Sequence, residues 1–184
     1  MQSKNRRKFL AKHSYGARKS RAWNSVSEIN VIVGPPCAGK STYALRSMND
    51  GDVIIDYDAI AVAIGSNSPH DATGSVRKVA LLMRWRAVNE ILRSIDHGAW
   101  IVHTKPTESV LARYKEAGAI FTVLDPGKDV CLQRAKDAER GPLCEQVITE
   151  WYDDPPAVPE SKALNFLPGL QPMLQSEMTG RQCG

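Results

Sequence analysis

The chain has 184 residues, 42% of them hydrophobic and 24% charged, with a formal net charge of +4. That length fits one domain able to bury most of its unfolded surface, and no apolar run approaches the ~18 residues of a membrane span, so no membrane association is expected. Lys4, Arg6, Arg7 and Lys8 lead only into Phe9 and Leu10, which is no secretory signal, and the expected location is the cytoplasm.

The charge is unevenly spread. Residues 1–21 carry Lys4, Arg6, Arg7, Lys8, Lys12, Arg18, Lys19 and Arg21 without an acid, which is +8 and leaves −4 for the rest of the chain. Residues 1–27 are therefore set apart as a basic arm, 28–154 as the globular domain and 155–184 as a Pro-containing tail. A basic arm is an electrostatic footprint for nucleic acid, so DNA is the expected partner, with a plain solvated tail as the alternative. Cys37, Cys131, Cys144 and Cys183 are widely spaced with no C-x-x-C pair, which points to reduced thiols and away from a zinc or redox motif.

Residues 29–33 (INVIV) form a short β-branched run ending at glycine, the pattern of a buried parallel strand. The next eight, Gly34-Pro35-Pro36-Cys37-Ala38-Gly39-Lys40-Ser41, match G-x-x-x-x-G-K-[ST] in full, with the preceding strand and following helix that the motif requires. Glycines let the backbone wrap phosphate oxygens with no Cβ in the way, and N–H groups of the first helical turn converge on the anion. The expected ATP site is thus Gly34, Pro35, Pro36, Cys37, Ala38, Gly39, Lys40, Ser41 and Thr42. In it Lys40 meets the β- and γ-phosphates and the Ser41 hydroxyl ligates Mg²⁺. Cys37 occupies a free position of the motif and reads as a small filler.

A helix over 41–48 closes at Asn49-Asp50-Gly51, and 53–55 (VII) is a second buried strand that delivers Asp56 and Asp58 to its end. Binding ATP does not separate a kinase from a GTPase or a motor. Transfer to a hydroxyl also needs a carboxylate that orients the acceptor and takes its proton, with cations to offset charge on the transferred group. Alternate residues of an extended segment share a face, so Asp56 and Asp58 are expected to act together, one on Mg²⁺ or its waters and one on the acceptor. The alternative is that either caps a helix beginning at Ala59. In the loop 65–74, His70 and Asp71 are candidates to line the acceptor channel. Ser75 opens a long helix to about residue 96, with Val76, Val79, Ala80, Met83, Ala87 and Ile91 at helical spacing. Arg77 and Arg84, seven apart on one face, read as cations tracking a phosphate backbone or as ordinary solvated residues.

Residues 99–103 (AWIVH) are a third strand, with His103, Thr104 and Lys105 at its end in either a ligand-contacting or a structural role. A helix over 107–117 and a fourth strand over 119–124 follow, then Asp125-Pro126-Gly127 turns the chain into a helix from 128, and a last helix covers 143–152. Lys136 and Arg140, four apart, are expected on one helix face with Arg134 nearby, in a basic segment that closes over ATP. Strands alternating with long helices give an α/β fold, a parallel sheet flanked by helices on both faces. Beyond Asp154, five prolines break any periodicity and an extended or disordered tail is expected.

GPPCAGKST, VIIDYDAIAVAIG and the R-x5-RGP segment from Arg134 to Pro142 resemble the phage branch of P-loop kinases related to polynucleotide kinases and zeta toxins. The likeness spans about residues 29–152 and implies a kinase-like P-loop NTPase fold. It further implies that the acceptor base is Asp58 or, second, Asp56, and that the lid arginines are Arg134 and Arg140. Polynucleotide 5′-kinases carry an arginine shortly after the base, where this chain has Ala59, Ile60 and Ala61. The D-x-D-A-I-A version looks more like phage kinases that phosphorylate 5-hydroxymethyluracil in DNA during thymidine hypermodification. A polynucleotide 5′-kinase, a small-molecule kinase and an ATP-dependent nucleic-acid-binding module stand as the alternatives.

Overall fold

The computed structural model describes residues 28–70, 72–93 and 98–165. The basic arm at 1–27, Asp71 and the part of the tail beyond 165 lie outside the described residues. The order of elements is β1 (Ile29–Val33), α1 (Lys40–Ser47), β2 (Val53–Ile55), α2 (Tyr57–Ala63), α3 (Gly74–Arg93), β3 (Ala99–His103), α4 (Glu108–Glu116), β4 (Ile120–Asp125), α5 (Lys128–Asp137), α6 (Pro142–Asp153) and β5 (Ser161–Asn165). The strands form one five-stranded sheet in the order β2-β3-β1-β4-β5. Every pairing is parallel, as helical crossovers between successive strands require.

β1 is the centre of the sheet because both its faces are covered. Ile29, Val31 and Val33 point into one cluster with Val88 of α3 and Leu111 and Tyr114 of α4. Ile32 points the other way, to Ala44 of α1 and to Trp100 and Val102 of β3. Period-2 alternation along a β-branched run thus packs both layers at once, each such side chain contributing about 1.5–3 kcal/mol by its burial. A third cluster, Ala38 with Cys131, Ala135 and Ile148, seats α5 and α6 against the loop after β1. The chain leaves β1 toward β3 and β2 and later crosses to β4 and β5. That reversal opens a crevice at the C-terminal ends of the strands beside β1.

Three sequence expectations change. Residues 161–165 were expected in the tail, but they form β5, an edge strand in register with β4 from Phe121↔Ser161 to Asp125↔Asn165. SKALN has little β-branched character, and the strand exists because β4 offers a free edge. Along α3, Val79 and Met83 are exposed, whereas Ala80, Arg84 and Val88, spaced four apart, are buried. The buried stripe is displaced around the helix from the apolar one, and an arginine sits in its middle. The third change is that α2 begins at Tyr57, so Asp58 is helical and shares no extended face with Asp56.

Candidate active site

The phosphate loop lies between the end of β1 and α1, held in shape by three devices. Gly34 passes so close to β4 that a Cβ there would collide with the Leu124 carbonyl oxygen. Gly39, just before α1, has φ 94, and Cys37 has φ 62, a left-handed conformation that is rare and strained for a residue with a side chain. Arg134 of α5 donates from Nη1 to the Cys37 carbonyl oxygen at 3.1 Å, bracing that strained residue from outside the loop. Burial pushes the Cys37 thiol up to about 11 despite the nearby Arg140 charge, so it is a poor nucleophile near neutral pH.

Lys40 is 8% exposed, and its Nζ donates to the carbonyl oxygens of Gly34 at 2.9 Å and Pro35 at 2.6 Å. Burial lowers its pKa to about 8, against neighbours that include Asp56 and Asp58. The Ser41 hydroxyl donates to Asp56 Oδ2. Asp56, 7% exposed, also caps α2: its Oδ1 accepts from the Asp58 backbone N–H at 3.0 Å. The helix cap weighed for Asp56 from the sequence and its place beside Ser41 therefore coexist, one oxygen for each. Ser41 and Asp56 form a pair of hard oxygen donors beside the phosphate loop, the set that Mg²⁺ takes when phosphates supply further ligands. Among the described residues there is no cluster of three or more His, Cys, Asp or Glu residues fit to hold a metal.

Asp58 stands on the first turn of α2 and pairs with His70 Nδ1 at 3.0 Å. Burial raises its carboxyl above the usual range, His70 opposes that, Asp56 adds to it and Arg140 lowers it. The charge of Arg140 thus reaches both Cys37 and Asp58. Arg140 lies beyond the end of α5, after Glu139 at φ 50, with its backbone N–H bonded to the Ala135 carbonyl oxygen. Lys136 and Arg140 therefore share no helix face, because the helix has already unwound, and Lys136 is exposed. Arg140 Nε is buried and has no partner among the described residues.

Two alternatives left open by the sequence are narrowed. Thr104 and Lys105 take structural roles: Trp151 donates to the Thr104 carbonyl oxygen at 3.0 Å and Lys105 pairs with Asp154 at 2.7 Å, tying α6 to the end of β3. Arg77 is exposed but Arg84 is 5% exposed, so the two do not form one surface track. The Asp58–His70 pair and the burial of Arg84 are the features the sequence did not disclose. The only local hints were a histidine in the loop after α2 and an arginine set beside Trp85 in an apolar stretch.

The sheet order, the loop after β1 and the helices on both faces make this a kinase-like P-loop NTPase fold of the α/β class. Among solved structures, a presumed kinase from Chloroflexus aurantiacus J-10-fl shares it, at 16% identity over 77% of this chain and 87% of that one, with a TM-score of 0.51. The tunicamycin resistance protein of Deinococcus radiodurans matches at 15% identity over 76% of this chain and 86% of its own, TM-score 0.47. Shikimate kinase from Acinetobacter baumannii, in complex with shikimate, matches at 19% over 70% and 76%, TM-score 0.43. No protein-family model matches the chain and no curated protein does. Among the described residues no helix is long and apolar enough to cross a membrane.

Proposed function

We propose that this chain is an ATP- and Mg²⁺-dependent kinase that phosphorylates a hydroxyl group on a nucleic-acid acceptor, the 5-hydroxymethyl group of 5-hydroxymethyluracil in DNA being the first candidate. One observation carries the reading: Asp56 bonds Ser41 of the phosphate loop with one oxygen and caps the helix bearing Asp58 with the other. A single side chain thereby links the phosphate loop to the helix that carries a partly buried carboxylate.

In this reading the loop amides and Lys40 hold the phosphates, while Ser41 and Asp56 hold Mg²⁺, which when bound neutralises phosphate charge. Asp58 orients the acceptor hydroxyl and receives its proton as the oxygen bonds phosphorus and the bond to the ADP oxygen breaks. Its pairing with His70 fixes the carboxylate rotamer. Arg140, whose buried Nε has no partner among the described residues, supplies positive charge toward the transferred group, and Arg134 holds the loop itself. The acceptor assignment is supported by the resemblance described above, by the +8 charge of residues 1–21 and by Ala59, Ile60 and Ala61 where 5′-kinases carry an arginine.

The test is transfer from radiolabelled ATP to normal DNA, hydroxymethylated DNA and free nucleosides, with Lys40→Ala as the control. Label is expected in hydroxymethylated DNA, and Lys40→Ala should cost at least about 100-fold in rate while leaving circular dichroism unchanged. Label on nucleosides alone would replace the acceptor class. DNA-stimulated ATP hydrolysis without label on any acceptor would overturn the kinase reading in favour of an ATP-dependent binding module.

A further inference from the structure

Arg84 is 5% exposed, yet it makes no ion pair with any described carboxylate. Its Nη2 donates to the Val102 carbonyl oxygen at 3.0 Å and its guanidinium lies 5.2 Å from the centre of the Trp85 ring. The charge also acts on Tyr114 and His103, whose Oη and Nδ1 are 3.3 Å apart. Burial, then Arg84 and Lys40, push His103 down to about 3, so the imidazole is neutral near pH 7. Among the described residues, the groups that meet this cation, namely the Val102 carbonyl, the Trp85 ring, Tyr114 and His103, carry no negative charge. A buried charge without a counterion is costly, and an anion bound beside it would offset that cost.

The position of Arg84 says which anion. Ile55 pairs with Ile101 and Val33 with His103. Val102 is thus level with Asp56, and His103 stands beside the residue before Gly34. Through its bond to the Val102 carbonyl oxygen, Arg84 reaches the C-terminal part of β3, the strand that lies between β2 and β1. α3, which carries Arg84, packs on α2, the helix that carries Asp58. The phosphate loop has Lys40 for its own ligand, which leaves Arg84 for the acceptor.

We propose that Arg84, flanked by His103 and Tyr114 as neutral hydrogen-bonding neighbours, is the anion anchor of the acceptor site and takes a phosphate group carried by the hydroxyl acceptor. This deepens the kinase reading and rests on it: the acceptor unit is a nucleotide, and a free nucleoside lacks the group Arg84 holds. A guanidinium fork suits the two oxygens of a phosphate better than an ammonium does.

The test uses the full chain with the phosphate loop first saturated with AMP-PNP and Mg²⁺. Calorimetric titrations then compare 5-hydroxymethyldeoxyuridine 5′-monophosphate, the corresponding nucleoside and inorganic phosphate. The monophosphate is expected to bind at least about tenfold more tightly than the nucleoside. Arg84→Gln should remove that preference and the binding of inorganic phosphate while leaving AMP-PNP affinity unchanged, and Arg84→Lys should keep part of the preference. Equal affinity of the wild type for monophosphate and nucleoside overturns the proposal without any variant, which covers an Arg84→Gln protein that does not fold. Retention of the preference in Arg84→Gln overturns it as well. No phosphoryl transfer is measured, so failure here is distinct from failure of the kinase reading, which shows as absent AMP-PNP binding or an unlabelled acceptor panel.

Discussion

Asp56 and Asp58 lie two residues apart and have opposite surroundings, and the difference predicts opposite phenotypes. Asp56 is tied to Ser41 and to the Asp58 N–H, so Asp56→Asn should weaken Mg²⁺-dependent nucleotide binding and fray the start of α2. The Asp58 carboxylate pairs instead with His70. Asp58→Asn should therefore lower kcat by about 10²-fold or more with ATP affinity within about twofold, as expected for loss of a base that acts on the acceptor. Steady-state rates alongside AMP-PNP titrations check both, and a larger kcat loss in Asp56→Asn with intact nucleotide affinity would exchange the roles. His103 allows a second residue-scale prediction. Its pKa is about 3 in the folded chain against an ordinary 6.5, under the influence of burial, Arg84 and Lys40 and in contact with Tyr114 and Trp85. Well above pH 6.5 it is neutral in both states and contributes no pH dependence. As pH falls from 6.5 toward 3 the unfolded chain binds a proton that the folded chain refuses, so stability drops by up to about 1.4 kcal/mol per pH unit. Urea midpoints at pH 7 and pH 5 should show the wild type losing up to about 2 kcal/mol more than His103→Gln over that interval; equal losses would show a charged or solvated imidazole.

Elements were legible where local pattern and burial agree. β1, the loop after it and α1 could be read because a β-branched run, two glycines and Lys-Ser occur in sequence order, and each local choice serves the same geometry. α3 was only half legible. Its length followed from helical spacing, but spacing treats arginine as a solvent-facing residue, and the true buried stripe runs through Arg84 because β3 and α4 offer Val102, His103 and Tyr114 to it. α5 was read too long for a similar reason: nothing local marks Glu139 as the left-handed residue that ends the turn and redirects Arg140. The phosphate loop also yields the prediction that belongs at this scale. A methyl group at Gly34 has nowhere to go, because what it meets is the Leu124 backbone of β4, not a flexible side chain. Gly34→Ala should cost about 1–3 kcal/mol by overpacking and push the loop off its phosphate-binding conformation. Thermal melts with and without AMP-PNP measure the two effects; an unchanged melting temperature and nucleotide shift would mean that the loop does not approach β4 so closely.

At the scale of the whole molecule, what sequence could not disclose is what depends on distant pairing. β5 lies about forty residues along the chain from the strand it joins, and only the free edge of β4 turns Ser161–Asn165 into sheet. The Asp58–His70 contact is likewise made across the loop between α2 and α3. Charge, in contrast, is legible without any structure, and it divides the chain into residues 1–21 at +8 and a remainder at −4. If the basic arm recruits DNA, each phosphate it neutralises releases counterions, and the logarithm of affinity falls with the logarithm of salt by about 0.9 for each contact. Deleting residues 1–21 should then flatten that slope by several units and weaken binding to long duplexes at low salt. The catalytic candidates Lys40, Asp56, Asp58 and Arg140 all lie outside the deleted segment, so the truncated protein should bind AMP-PNP as before and keep kcat on a short saturating acceptor. Its apparent KM for long DNA should rise. Filter binding of full-length and truncated protein to one duplex across a salt series measures the slopes directly. Parallel slopes would show that these residues make no phosphate contacts, and a fall in kcat on the short acceptor would show that the arm reaches the cleft itself.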